Sequence, residues 1–236
     1  MALSVDSPFD NKALQSYFHD PNFLAVYGSR VFQQTGVDSS RSIVDLIVGI
    51  RSTREWHRKN LAEHPQDYTV PEKKLGLYLM KWIQYQGGGI NYRARVSVQD
   101  QLVKYGTISR EDLLRDLREW EMLYVAGRLQ KPTLIVKSDP EIEGAMQLNL
   151  MHALRAALLT LPSHFTEKEL YETITGFSYR GDVRMWVSED PKKVERIVGG
   201  SLEHFKTLYR GAIERRSDVL TTLSEGRFEQ DISPEA

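Results

Sequence analysis

FLAVYGSRVFQQTGVDSSRSIVDLIVGI, residues 23–50, decides the fold. Its two ends, FLAVYGS (23–29) and IVDLIVGI (43–50), are short, apolar and β-branched, the pattern of strands buried in a sheet. The turn-rich TGVDSSRS (35–42) separates them, and residues 30–34 are able to open a helix directly after Gly28 and Ser29. Asp45 interrupts the second strand, where a buried carboxylate is costly unless it is paired or metal-bound. The alternative is an edge-strand aspartate facing water or a neighbouring amide.

Downstream, STREWHRKNLAEHP places Ser52 or Thr53 as N-cap with an acid three positions after Ser52, predicting a helix that ends before Pro65. Residues 71–86 space apolar groups at helical intervals and stop at Gly87-Gly88-Gly89. INYRARVSV alternates like a strand, and QLVKYGTIS continues or pairs with it. SREDLLRDLREWEMLYVAG, with Ser109 as cap and apolar groups at 113, 114, 117, 120, 123 and 124, predicts a long helix. KPTLIVKSDP is a short strand leading to a boundary between 138 and 141. Three mostly helical stretches follow, EGAMQLNLMHALRAALLTLP, TEKELYETITGFS and PKKVERIVGGSLEHFKTLYRGAIERR, and the tail SEGRFEQDISPEA reads as frayed. The expectation is an α+β first domain, residues 1–138, and a mainly helical second domain, 139–236.

Composition narrows the partners. The 236 residues contain 31 basic and 32 acidic side chains, so no global field draws the chain onto nucleic acid or anionic lipid. No cysteine is present, which excludes disulfides, thiolate metal sites and a cysteine nucleophile. MALSVDSPFDNKALQ lacks the apolar core of a secretory signal and carries acids where a mitochondrial transit peptide is Arg-rich. A bacterial chain, or one without its targeting segment, is expected. No apolar run approaches the roughly 20 residues that span a bilayer, so action on lipid implies a visit to the membrane surface.

A strand, a Gly-Ser turn, a helix start and a second strand bearing an aspartate form the ground plan of polymerase-beta-type nucleotidyltransferases. Amides at Gly28 and Ser29 are suited to cradle a triphosphate, and Asp45 on the neighbouring strand to hold Mg²⁺ against it. The same Gly-Ser pair is also an ordinary loop. A second acid two positions after the first is usual in that plan, and here Ile47 occupies the position. Asp182, in the loop-like GFSYRGDVRM (176–185), is the candidate second metal ligand, ahead of Asp116, which falls on the polar side of a helix and reads as solvated. Lys104 in VKYG suits a polyphosphate or is a snorkelling edge lysine. Gly87–Gly89 form a phosphate-contacting loop or a helix C-cap. Arg128 and Lys131, in AGRLQKP, oppose a helix dipole or grip a phosphate. His57 has no metal-spaced partner and is structural or substrate-contacting. No GxSxG, Walker-type or GxGxxG motif is present.

Taken together, AVYGSRVFQQ, VDLIVGI with EWHRKNL and HPQDY, GGGINYR, LVKYGTIS, DLLRDLREWEMLYVAGRLQKP, LTLP and FSYRGDVRM with SEDPKKV resemble successive blocks of the mitochondrial-type phosphatidate cytidylyltransferases, also called the mitochondrial translocator assembly and maintenance family, from about residue 22 to residue 234. The resemblance implies a nucleotidyltransferase domain with a mixed sheet, a winged-helix-like second domain, and Mg²⁺-dependent synthesis of CDP-diacylglycerol and pyrophosphate from CTP and phosphatidic acid. It implies nucleotide contacts for Tyr27, Gly28, Ser29 and Lys104, and metal or catalytic roles for Asp45, Lys104 and Asp182. It further implies a peripheral membrane protein, on the matrix side of the mitochondrial inner membrane in a eukaryote or the cytoplasmic face in a bacterium. Self-association is left open. The family's longer carboxy-terminal region and transit peptide have no counterpart in the sequence. Two rivals are a nucleotidyltransferase with a soluble acceptor and a non-catalytic assembly scaffold.

Overall fold

The computed structural model describes residues 7–28, 43–76, 89–179 and 192–231. The two apolar runs form β1 (Phe23–Tyr27) and β2 (Val44–Ile50), which pair antiparallel. The alternating segment forms β3 (Ile90–Val98) and pairs with β4 (Gln101–Ser109) as a hairpin. Its turn residues Gln99 and Asp100 have φ of 49° and 60°, the double left-handed geometry of a type I′ turn. β4 lies parallel to β2, and β5 (Leu134–Lys137) closes the other side, giving a mixed sheet in the order β3-β4-β2-β1-β5.

Each face of this sheet carries its own core. Leu24, Val26, Leu46, Val48, Val103 and Tyr105 pack with Leu14 of α1 (Asn11–Tyr17) and Trp56 of α2 (Thr53–Glu63). Ser52 caps α2 as expected, its Oγ accepting from Glu55 N at 3.3 Å. A 3-10 turn (Pro65–Asp67) and α3 (Val70–Leu75) follow, and the rest of the helix expected over 71–86 lies outside the described residues. A buried polar network fills the space between these elements and the sheet. Tyr105 Oη donates to Asp67 Oδ2 at 2.8 Å, Asn60 Nδ2 donates to Tyr68 Oη at 3.1 Å, and His57 lies between Tyr68 Oη (3.0 Å) and Thr107 Oγ1 (3.3 Å). Burial, then the nearby Arg93 guanidinium, lowers the His57 pKa from 6.5 to about 3. His57 is therefore a neutral structural residue.

The opposite face packs Phe23, Ala25, Ile47 and Ile108 with Leu113 and Leu117 of α4 (Arg110–Glu119) and Ile142 of α6 (Pro140–Leu158). The long helix expected from Ser109 ends at Trp120, whose φ is 55°. Asp116 explains the early stop. Rather than being solvated it is 4% exposed, and its carboxylate accepts from Met122 N (3.1 Å), Val125 N (2.8 Å) and Ala126 N (2.8 Å). Four helical residues, α5 (Ala126–Leu129), follow this folded-back loop.

From residue 140 onward, α6, α7 (Glu167–Phe177) and α8 (Lys193–Glu214) enclose a core that includes Leu154, Tyr171, Phe205 and Tyr209. Three short strands, β6 (His164–Thr166), β7 (Leu220–Thr222) and β8 (Arg227–Gln230), form a second sheet in the order β6-β8-β7. The tail expected to fray is thus in part a central strand. Gln230 holds it, its Nε2 donating to the carbonyls of Leu158 (3.0 Å), Leu161 (2.8 Å) and Pro162 (3.0 Å). Among the described residues no helix is long and apolar enough to cross a membrane.

Asp116→Ala strips buried amides of their acceptor and is expected to lower stability by about 3 kcal/mol, seen as a lower urea midpoint at constant m-value. His57 adds a pH dependence. Between about pH 6.5 and about 3 the unfolded chain binds a proton that the folded chain refuses, so stability falls with falling pH by up to about 1.4 kcal/mol per unit. Urea titrations across that range should show a shallower slope for His57→Gln.

Candidate functional site

Strand pairing assembles the first part of the site. Tyr27 on β1 is the partner of Asp45 on β2, and Asp45 is the partner of Lys104 on β4. Alternation puts these three on the same face as Ala25, Ile47 and Ile108, at the end of the sheet where β1 finishes and β2 and β4 begin. β2 and β4 are both interior strands, so neither Asp45 nor Lys104 is an edge residue. Asp45 is half-buried. Desolvation raises its pKa, and the opposing charges of Lys104, Arg128 and Lys193 pull it down.

Gly28 supplies the close approach. Its φ is +90°, and a Cβ built there would stand 3.1 Å from Asp45 Oδ2, so any side chain is both strained and crowded against the carboxylate. Ser29 and Asp182 lie outside the described residues, as do Gly87 and Gly88.

The remaining groups come from α5 and the helices beyond it. Arg128 stands 3.8 Å from the Tyr124 ring centroid and 6.0 Å from that of Tyr27, and its Nη1 donates to Tyr124 O at 2.7 Å. Lys104 Nζ lies 4.6 Å from the Tyr92 ring, and the hydroxyls of Tyr92 and Tyr27 are 3.4 Å apart. Lys131 Nζ donates to Ser178 Oγ at 2.7 Å and lies 5.0 Å from the Tyr179 ring, which Lys193 approaches at 5.3 Å. Enclosure of the Lys131 ammonium, then the charges of Arg128 and Lys193, lower its pKa from 10.5 to about 7. Gly127 lets α5 touch the end of α7, since a Cβ there would fall 2.7 Å from Ser178 Cβ.

Lys104, Arg128 and Lys193 thus gather around one carboxylate, and Lys131 lies beside Arg128 and Lys193. Arg128 and Lys131 were legible as phosphate-gripping candidates; with α5 only four residues long, a helix-dipole role is minor. Lys193, Tyr92 and Tyr124 carried no sequence signal beyond position. His57 sits in the network on the other face and takes no part. The excess of cations suits a polyanion with several charges, such as a polyphosphate. The Asp45 carboxylate, beside a glycine and among cations, is a hard oxygen donor of the kind Mg²⁺ accepts together with phosphate oxygens. Among the described residues no group of three metal-ligating side chains includes Asp45, so such an ion needs substrate oxygens or a further ligand.

Known proteins resemble this chain over most of its length. Residues 11–236 match a family model described as mitochondrial phosphatidate cytidylyltransferase. A Danio rerio protein named mitochondrial phosphatidate cytidylyltransferase is 36% identical over 240 residues, covering 99% of this chain and 71% of its own length. The Homo sapiens protein of the same name is 38% identical over 230 residues, covering 95% of this chain and 51% of its own length. The Schizosaccharomyces pombe protein is 38% identical over 198 residues, covering 82% of this chain and 50% of its own length. The chain therefore spans about half the length of the human and fission-yeast relatives. It belongs to the mitochondrial phosphatidate cytidylyltransferase family.

Proposed function

We propose that this chain is a phosphatidate cytidylyltransferase that joins CTP to phosphatidic acid, giving CDP-diacylglycerol and pyrophosphate. The observation that carries this reading is Asp45 on an interior strand, against Gly28 and within reach of the charges of Lys104, Arg128 and Lys193. Family membership supplies the cytidine and the lipid. The mixed sheet is taken as a nucleotidyltransferase domain, residues 1–138, and the helices with the small sheet as a winged-helix-like domain, 139–236.

The nucleophile is the phosphate monoester of the lipid, already mostly dianionic near neutrality because its second pKa is about 6, so no strong general base is required. One of its oxygens forms a bond to the α-phosphorus of CTP as the bond to the bridging oxygen breaks, and pyrophosphate leaves with the bonding electrons. The protein's task is to hold two anions together in line. Gly28 and Ser29 cradle the triphosphate, Lys104 meets the departing pyrophosphate, and Arg128, fixed on Tyr124, with Lys131 and Lys193 balances the charge of both the triphosphate and the incoming phosphate. Asp45, completed by Asp182, would hold Mg²⁺, which screens the triphosphate and withdraws charge from it. The enzyme meets its lipid as a peripheral protein at a membrane surface, the matrix face of the inner mitochondrial membrane or the cytoplasmic face of a bacterial one.

With Mg²⁺, CTP and dispersed phosphatidic acid, the purified protein is expected to release pyrophosphate and form CDP-diacylglycerol; a folded protein that forms none, or that prefers glycerol 3-phosphate, overturns the reading. Asp45→Asn should cut turnover by about a hundredfold or more while the melting temperature stays level or rises, because a desolvated carboxylate is relieved. Lys131→Met is expected to trade binding for stability. The ammonium is about half charged at neutral pH, and an anion draws a proton onto it, so CTP affinity in the parent falls as pH rises from about 7 to about 9. The methionine variant should bind CTP more weakly with a flatter profile. Its melting temperature should exceed the parent's, most below pH 7, with the gain fading toward the unfolded lysine pKa of 10.5, because only the unfolded chain binds that proton fully between the two values.

A further inference from the structure

On the sheet face opposite Asp45, the turn after α1 meets the end of α2, and three side chains with metal-binding donors converge. His19 sits in the turn with φ of 56°, and its side chain is 7% exposed, edge-on to Trp56 at 5.9 Å. Glu63 is the last residue of α2, and His64 is its C-cap. The His64 ring stacks on Tyr17 at 4.2 Å and faces the His19 ring at 6.0 Å. Tyr17 is itself pinned, its hydroxyl donating to Asp67 Oδ2 at 3.1 Å. Two imidazoles are thus held by packing on both sides, while Glu63, 51% exposed, leaves an approach from solvent.

The donor atoms are close enough to share one ion. One ligand atom each from His19, Glu63 and His64 lies within 4.8 Å of the other two, and His19 Nδ1 is 3.6 Å from Glu63 Oε2. Ligands of tetrahedral zinc are roughly 3.3 Å apart, given bond lengths of about 2.0–2.1 Å. We propose that His19, Glu63 and His64 form a binding site for a divalent transition metal ion of the zinc type, separate from the Asp45 cluster, with its fourth position open to water.

The environment supports a ligand role for His19. A metal-bound histidine commonly donates its other N–H to a neighbouring oxygen. The Asn60 side chain borders the His19 ring within hydrogen-bonding reach, and neither Asn60 Oδ1 nor His19 Nε2 is engaged elsewhere, so the two can pair as acceptor and donor once Nδ1 is committed. The charged groups facing the site are Glu63 itself and Lys59, whose Nζ is 4.0 Å from Glu63 Oε1 and whose side chain is 58% exposed, free to swing aside. Imidazole donors select zinc, nickel or copper over Mg²⁺, so the site does not compete for the ion assigned to Asp45.

The test uses the whole chain, stripped of metal by a chelator and dialysed against Zn²⁺ with Mg²⁺ in excess. The expected result is saturable binding of one Zn²⁺ per chain that raises the melting temperature, and a four-coordinate absorption spectrum when Co²⁺ replaces it. Glu63→Gln keeps the side-chain shape, and His64→Phe keeps a ring against Tyr17. Each should weaken Zn²⁺ binding at least tenfold, with the metal-free melting temperature close to the parent's. Absence of saturable binding, or binding unchanged in both variants, overturns the proposal, as does a Co²⁺ spectrum characteristic of six oxygen ligands.

Discussion

The carboxylate of Asp116 is the constraint on which the site's geometry depends. By collecting the amides of Met122, Val125 and Ala126 it stops α4 and turns the chain back on itself. Without that anchor, a segment with good helical spacing would continue straight and carry Arg128 away from the sheet. Three further bonds, two of them buried, hold what Asp116 begins. Trp120 Nε1 and Gln130 Nε2 both donate to Asn149 Oδ1, at 2.8 and 3.0 Å, and Asn149 Nδ2 returns to Ala126 O at 3.0 Å. Tyr209 on α8 donates to Gln130 O at 2.9 Å, so the α5 segment is fastened to the helices behind it. Buried polar bonds of this kind stiffen the segment they hold, although Gln130 Oε1 is left without a partner. Here the rigidity serves to carry cations to one end of a sheet.

That arrangement concentrates like charge, which folding alone disfavours. Lys131 shows the cost most plainly, since its ammonium is enclosed and driven toward neutrality by Arg128 and Lys193. Lys104 and Arg128 are eased by aromatic faces as well as by the Asp45 carboxylate. Aromatic rings stabilise a cation without neutralising it, so the positive potential survives for a ligand. Groups set in place in this way need little rearrangement when charge arrives.

Much of this was legible in the chain and some was not. Strands 23–27 and 44–50, the 90–109 hairpin and the Ser52 and Ser109 caps follow from local patterns, because apolar periodicity and capping act over a few residues. Asp45, Gly28 and Lys104 stood out because an acid or lysine in an apolar strand, or a glycine after one, is locally anomalous, whereas Tyr27 entered only through the family resemblance. Asp116 was misread because its polar helix position says nothing of a loop that later folds over it. Arg128 and Lys131 stayed ambiguous for the same reason, and Lys193 joins them from more than sixty positions away. His19 and His64 escaped notice because histidine spacing signals a metal only when both ligands sit on one element. The β8 strand, at four residues with alternate polar groups, was too short to stand out from a loop.

β8 also has a bearing on biosynthesis. It is the middle strand of the small sheet, with β6 on one side and β7 on the other, yet it is the last of the three in chain order. Neither neighbour has a partner to pair with until residue 230 has cleared the ribosomal exit tunnel, and until then the carbonyls of Leu158, Leu161 and Pro162 lack the Gln230 amide. The five-strand sheet, complete by residue 137, faces no such delay. The two sheets therefore become able to form at different moments of translation, the one bearing Asp45 first and the smaller one only after the α8 segment has been made.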